Sequence, residues 1–324
     1  MAEGKSNYKK EILPIFFIGL LFIVIHSLAI LVTTPFVEAG VRPAFEDPDN
    51  PLNIIIILAI MIVFTILILL IAKFWKKQFI QFLILGAVGY TSAYIFYPLI
   101  SFVVPSSFAA RFSIGENQYL VIPAAGVLAV VCALILIFIL YKFPEWYVID
   151  ISGIFVGTGA IAIFGMSLGI LLVIILLIVL AIYDAISVYK TKHMIDLADT
   201  VMDLKLPILL VIPKIRRYSL IKETKSLKEK IKGDKEREAF FIGLGDIVMP
   251  GILVASCFNN IQDGLIISIS VIVGTLIGFS ILMAYVIKGR PQAGLPLLCG
   301  GAIAGYIVSS LIFFGELRGV AFSF

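Results

Sequence analysis

The chain has 324 residues, of which 61% are apolar and only 14% charged, with a formal net charge of +4. Soluble domains run at roughly 45–50% apolar and 25% charged, so an ordinary water-soluble globule is excluded. Apolar runs of about 20 residues recur along the chain, each long enough to cross a hydrocarbon core about 30 Å thick. The composition predicts an all-α, polytopic integral membrane protein.

Hydropathy places about nine spans, near 12–34, 52–73, 79–104, 119–141, 148–166, 167–189, 239–260, 264–287 and 293–315. The first follows Lys5, Lys9 and Lys10 and so resembles a signal peptide. Its length of about 23 residues and the lack of a small-x-small cleavage site predict a retained helix. His26 falls inside it and is expected to be a satisfied packing residue; with His193 the only other histidine, neither is expected to ligate a metal. Asp150 and Glu316 fall near span ends, where interfacial solvation suffices. Cys132, Cys257 and Cys299 lie far apart in apolar segments and imply neither a disulfide framework nor a metal site. Gly153 with Gly157, Gly274 with Gly278, and Gly301 with Gly305 form GxxxG pairs suited to close helix packing. The chain therefore divides into six spans over 1–189, a polar connection over 190–238 and three spans over 239–324, forming one membrane domain.

Orientation follows from lysine and arginine. With nine spans, one side holds 22 of the 25 basic residues, and the other keeps only Arg42, Arg111 and Arg318 beside the acidic loop "EAGVRPAFEDPDN", Glu38 to Asn50. The N-terminus is expected in the cytoplasm and the C-terminus outside. The basic run from Lys214 through Arg216 and Arg217 is then a solvated cytoplasmic segment near anionic lipid, with nucleic acid not an expected partner.

Against this topology two carboxylates stand out. Asp184, in "LAIYDAISVY", falls about five residues before the cytoplasmic end of the sixth span, roughly 8 Å deep. Asp246, in "AFFIGLGDIVMPG", lies about seven residues into the seventh, roughly 10 Å deep. Each costs about 2.5–3.5 kcal/mol at a helix centre and less near an interface, so two at one depth on antiparallel neighbours call for a reason. Gly243 and Gly245 stand at i−3 and i−1 to Asp246, and a helical Gly243 would share its face. Removing bulk there suits close approach by another backbone and a water, although packing through small residues is the competing explanation.

These residues carry a resemblance. Tyr183-Asp184 in one span and Gly243-Leu244-Gly245-Asp246 in the next resemble the paired "YD" and "GxGD" motifs of the presenilin and signal peptide peptidase families, the intramembrane aspartyl proteases. The nine-span layout with a long connection between spans six and seven is similar too. The family's "PAL" element resembles "PQAGLPLL", with Pro-Ala-Leu falling on Ala293, Gly294 and Leu295, followed by Pro296; two of its three letters differ. The cytoplasmic N-terminus and the block "YDAISVYKTKHMIDLADT" are presenilin-like, particularly of the small microbial kind.

The resemblance implies an aspartic endopeptidase that cuts transmembrane helical substrates with Asp184 and Asp246, without cofactor or metal. Tyr183, Gly243, Leu244, Gly245, Ala293, Gly294, Leu295 and Pro296 are implied to shape the site or hold substrate, although for Tyr183 a structural role at the membrane interface is the preferred reading. It names no accessory subunit, and the location is the lipid bilayer, the cell membrane if the source is prokaryotic. It further implies that substrate is held as an added β-strand, for which Leu206–Pro213 and Pro291–Pro296 are the candidates; an interfacial apolar patch is the other reading of 206–213. Two other functions fit an intramembrane carboxylate pair less well. A secondary transporter coupling to protons or cations would need an inverted repeat with broken helices, and none is convincing. A noncatalytic scaffold leaves the pair unexplained.

Overall fold

A computed structural model describes residues 2–74, 77–104, 109–115, 118–191, 209–214, 239–288 and 292–320. The helices are α1 Ala2–Glu38, α2 Leu52–Phe74, α3 Lys77–Val103, α4 Ala124–Lys142, α5 Trp146–Ser167, α6 Ile170–Ile186, α7 Leu244–Asn260, α8 Leu265–Ile287 and α9 Gly294–Phe314. Four short strands join them: β1 Ala109–Gly115 with β2 Gln118–Pro123, and β3 Leu209–Pro213 with β4 Ala239–Gly243, both pairs antiparallel. Seven of the helices are long and apolar enough to cross a membrane. The chain is an integral, multi-pass membrane protein.

Two expected spans begin later than hydropathy placed them. The fourth starts with the second strand of a hairpin, and its helix begins only after Pro123. The seventh opens as β4, so α7 keeps 17 residues, about 26 Å of rise. That is short of the hydrocarbon thickness, and extended backbone supplies the remainder. Gly243 is consequently the extended residue that caps α7 (φ −63°, ψ 132°), not a residue on the helical face of Asp246. Of the 190–238 connection, only residues 190, 191 and 209–214 are described; the expectations for its basic run, for Leu206–Ile208, for His193 and for Pro291 lie outside the described residues.

Strands at membrane depth are tolerated only when protein surrounds them, and β3 meets that condition. Leu210 and Ile212 are buried in a core with Phe22 and Ile25 of α1, Leu177 of α6 and Ile247 of α7. Val211, on the opposite face, joins a second core with Ile80, Leu85 and Val88 of α3 and Ile149 of α5. Lys214 closes the end of the pair, its Nζ 4.2 Å from the centre of the Phe240 ring.

Glycine settles how closely the last helices approach. A Cβ on Gly274 would run into the Gly301 carbonyl oxygen, one on Gly278 into the Leu297 carbonyl, and one on Gly305 would stand 2.5 Å from the Ser270 carbonyl. Helices α8 and α9 therefore touch backbone to backbone, as small residues allow where no hydrophobic force drives association. Gly153 and Gly157 have a different use. The first faces the Leu210 side chain of β3 and the second faces Leu244. Side-chain hydrogen bonds add further stitches, from Ser268 Oγ to the Val254 carbonyl (2.9 Å) and from Ser256 Oγ to the Leu168 carbonyl (2.8 Å). The exposed isoleucines and leucines of α2 and α4 lie on the outside of the bundle, where lipid is the solvent.

Candidate active site

Asp184 is near the end of α6, just before the wider turn Ser187–Thr191, which is a π-helix. Such turns interrupt the regular ladder and frequently accompany functional sites. Asp246 is the third residue of α7, after Leu244 and Gly245. An acid at that position faces the unsatisfied N–H groups and positive dipole end of the first turn. Its carboxylate turns back toward Gly243, where a Cβ would stand 3.3 Å from Asp246 Oδ2. A proline four residues after Asp246 acts on the same turn: Pro250 has no N–H to offer the Asp246 carbonyl.

The start of α9 brings the two aspartates together. Ala293 is its extended N-cap (φ −66°, ψ 130°), so the amides of Gly294 and Leu295 are among those a helix leaves unpaired. Asp184 Oδ2 accepts the Leu295 N–H at 3.1 Å. Asp246 Oδ2 lies 3.5 Å from where a Cβ on Gly294 would be. One carboxylate thus touches each of two consecutive residues. Pro296 is the third residue of α9, where its missing N–H deletes no helical bond. At Gly294 the family pattern has alanine, and the 3.5 Å spacing is an ordinary contact that would accept one.

The other residues expected to shape the site take different places. Leu244 points at α5, its Cδ1 3.1 Å from where a Cβ on Gly157 would be. Gly245 is exposed, and a side chain there would meet nothing within 4 Å, so it leaves open space beside Asp246. Tyr183 is 66% exposed, facing away from the bundle while its neighbour Asp184 faces inward. Among the described residues, no group of three or more His, Cys, Asp or Glu side chains could hold a metal ion.

Two buried polar residues tie neighbouring elements to those that carry the site, His26 directly at the first turns of α7 and Asp150 farther away, at β3. His26 Nε2 lies 2.9 Å from the carbonyl oxygen of Ile247, the residue after Asp246, which ties α1 to the first turns of α7. Gly251 makes room for the ring, since a Cβ there would come within 2.8 Å of it. Asp150 departs from its expected interfacial setting. It is 8% exposed, and its Oδ1 accepts the Val211 N–H of β3 at 2.7 Å.

The family model described as signal-peptide peptidase, presenilin aspartyl protease matches residues 19–315. The chain belongs to this family. Two solved structures of a presenilin family intramembrane aspartate protease are similar throughout. One, in a C222 crystal form, is 32% identical over 92% of this chain and 99% of that one, with a TM-score of 0.65. The other, in a P2 form, is 31% identical over 91% and 96%, with a TM-score of 0.61. No curated protein sequence matches. The presenilin-type protease is therefore an aspartic endopeptidase that works within the membrane, which sets aside the transporter and the scaffold.

Proposed function

We propose that Asp184 and Asp246 are the acid–base pair with which this protease hydrolyses peptide bonds inside transmembrane segments of its substrates. The observation that carries the reading is the shared contact with α9: Asp184 on the Leu295 amide, Asp246 against Gly294. Two carboxyls so placed share one proton over a wide pH range, because two adjacent charges cannot both form cheaply. The ionised member takes a proton from water as its oxygen attacks the scissile carbonyl carbon, and the protonated member donates to the carbonyl oxygen. The tetrahedral diol then collapses: its nitrogen receives the proton that the first carboxylate took from water, a diol hydroxyl returns its proton to the other carboxylate, and the C–N bond breaks to a carboxylic acid and an amine, leaving the pair with one proton again. The titration belongs to the pair, so base and acid are not assigned to individual residues.

Gly245 supports the same reading, as the open side of Asp246 is where water and an unwound substrate have room. With the N-terminus cytoplasmic, as the charge asymmetry favours, the site opens toward the cytoplasm.

Unwinding a substrate helix frees backbone groups that need partners in a dry setting. The expectation that Leu206–Pro213 supplies them moves to its neighbour. In an antiparallel ladder the main-chain groups of alternate residues face opposite edges. Val211 gives its N–H to Asp150, so Leu210 and Ile212 are the residues of β3 that face β4. Opposite Val211 stands Phe241, whose N–H and carbonyl point away from β3 and meet no partner among the described residues. Among the described residues the free edge is that of β4, and it leads in five residues from Phe241 to Asp246. An added substrate strand on this edge would be delivered to the carboxylates.

The test is direct. Purified protein in detergent, incubated with a single-span membrane peptide, is expected to give two fragments by mass spectrometry whose junction lies within the apolar segment. Intact peptide, or cuts confined to its polar flanks, would refute the reading.

A further inference from the structure

Asp150 is one turn into α5, on the face that also carries Gly153 and Gly157. This stripe seats three things in a row. The Asp150 carboxylate takes the Val211 amide, Gly153 takes the Leu210 side chain, and Gly157 takes Leu244 of the Gly-Leu-Gly-Asp segment. The hydrogen bond lies between residues that are both buried. A buried N–H without a partner is expensive, the more so at membrane depth. Interfacial solvation has no need of an acid buried among Ile149, Ser152 and Gly153.

We propose that Asp150 is a positioning residue of the protease, anchoring β3 by its Val211 amide and thereby fixing the β3–β4 pair that runs into Asp246. The inference rests on the proteolytic reading above. The anchor acts at a distance from the chemistry: Asp150 holds β3, β3 holds β4 through Leu210 with Ile242 and Ile212 with Phe240, and β4 ends at Gly243, the cap of α7. What the anchor supplies is an oxygen acceptor at one place. An asparagine can supply it and a leucine of similar size cannot.

Asp150→Asn and Asp150→Leu, each folded by size-exclusion profile and assayed well below its own thermal midpoint, separate positioning from fold stability. Asp150→Asn is expected to keep kcat/KM for a single-span peptide within about threefold of the parent, and Asp150→Leu to lose about tenfold or more. Hydrogen exchange should rise together in the peptides covering 209–213 and 239–243 of Asp150→Leu and stay at the parental level in Asp150→Asn. Where Val211→Pro has already deleted the donor, Asp150→Leu should cost no further activity. Parental kcat/KM in folded Asp150→Leu, equal losses in the asparagine and leucine variants, or unchanged exchange of both strands would overturn the proposal. A parent protein that cleaves nothing would instead overturn the proteolytic reading on which it rests.

Discussion

Asp184→Asn and Asp246→Asn are each expected to reduce cleavage by at least about 10³-fold, and the double variant to be no worse than either alone. General acid–base catalysis by one positioned group is worth about 10²–10⁴, and here each group needs the other to hold or release the shared proton. Asparagine matches aspartate in shape and still offers an oxygen to the Leu295 amide, so the contact at the start of α9 survives in Asp184→Asn. Fold and cleavage are therefore separable in these variants, and size-exclusion profiles with initial rates by mass spectrometry check both. Partial, nearly additive losses would mean that the two carboxylates act independently, and the paired mechanism would be wrong.

Phe241→Pro is expected to cut cleavage about tenfold or more while leaving β3 and β4 paired. Proline removes one N–H, and at Phe241 that N–H points away from β3. Phe240→Pro is the contrasting variant, because Phe240 faces Ile212 and its loss of a donor breaks the internal ladder. That variant should lower the thermal midpoint; Phe241→Pro should chiefly raise KM. Phe241→Val, which keeps the donor and the strand preference, should cost little. Parental kinetics in Phe241→Pro would show that substrate does not add to this edge.

The most legible features of the sequence were those that violate their surroundings. Asp184 and Asp246 are visible because a carboxylate in an apolar run is rare, and their common depth follows from counting residues along antiparallel spans. The resemblance aligns the family's third element with Ala293 to Pro296 through Leu295 and Pro296, although two of its letters differ. What hydropathy missed has a common cause: an apolar run reports burial and does not distinguish strand from helix. Hydropathy for that reason extends the seventh span over "AFFIG" and the fourth over "QYLVIP", both of which are strands. Asp150 and His26 were missed for another. Their partners are main-chain atoms of Val211 and Ile247, 61 and 221 residues away, and no local pattern encodes such a contact. A buried carboxylate at the rim of a span was the available signal, and its position near the interface concealed it.

The shared proton is the centre of this mechanism, and the pH dependence of kcat/KM for intramembrane cleavage tests it most directly. In the proposed mechanism the pair works only with one proton between its two carboxyls, so the rate should rise as the first proton leaves and fall as the second follows, giving a bell. Measured with a substrate that carries no titrating group near the cut, and in detergent in which the protein stays folded throughout, a bell with two limbs is the predicted result. A rate that stays flat through the range in which carboxyl groups titrate would contradict it.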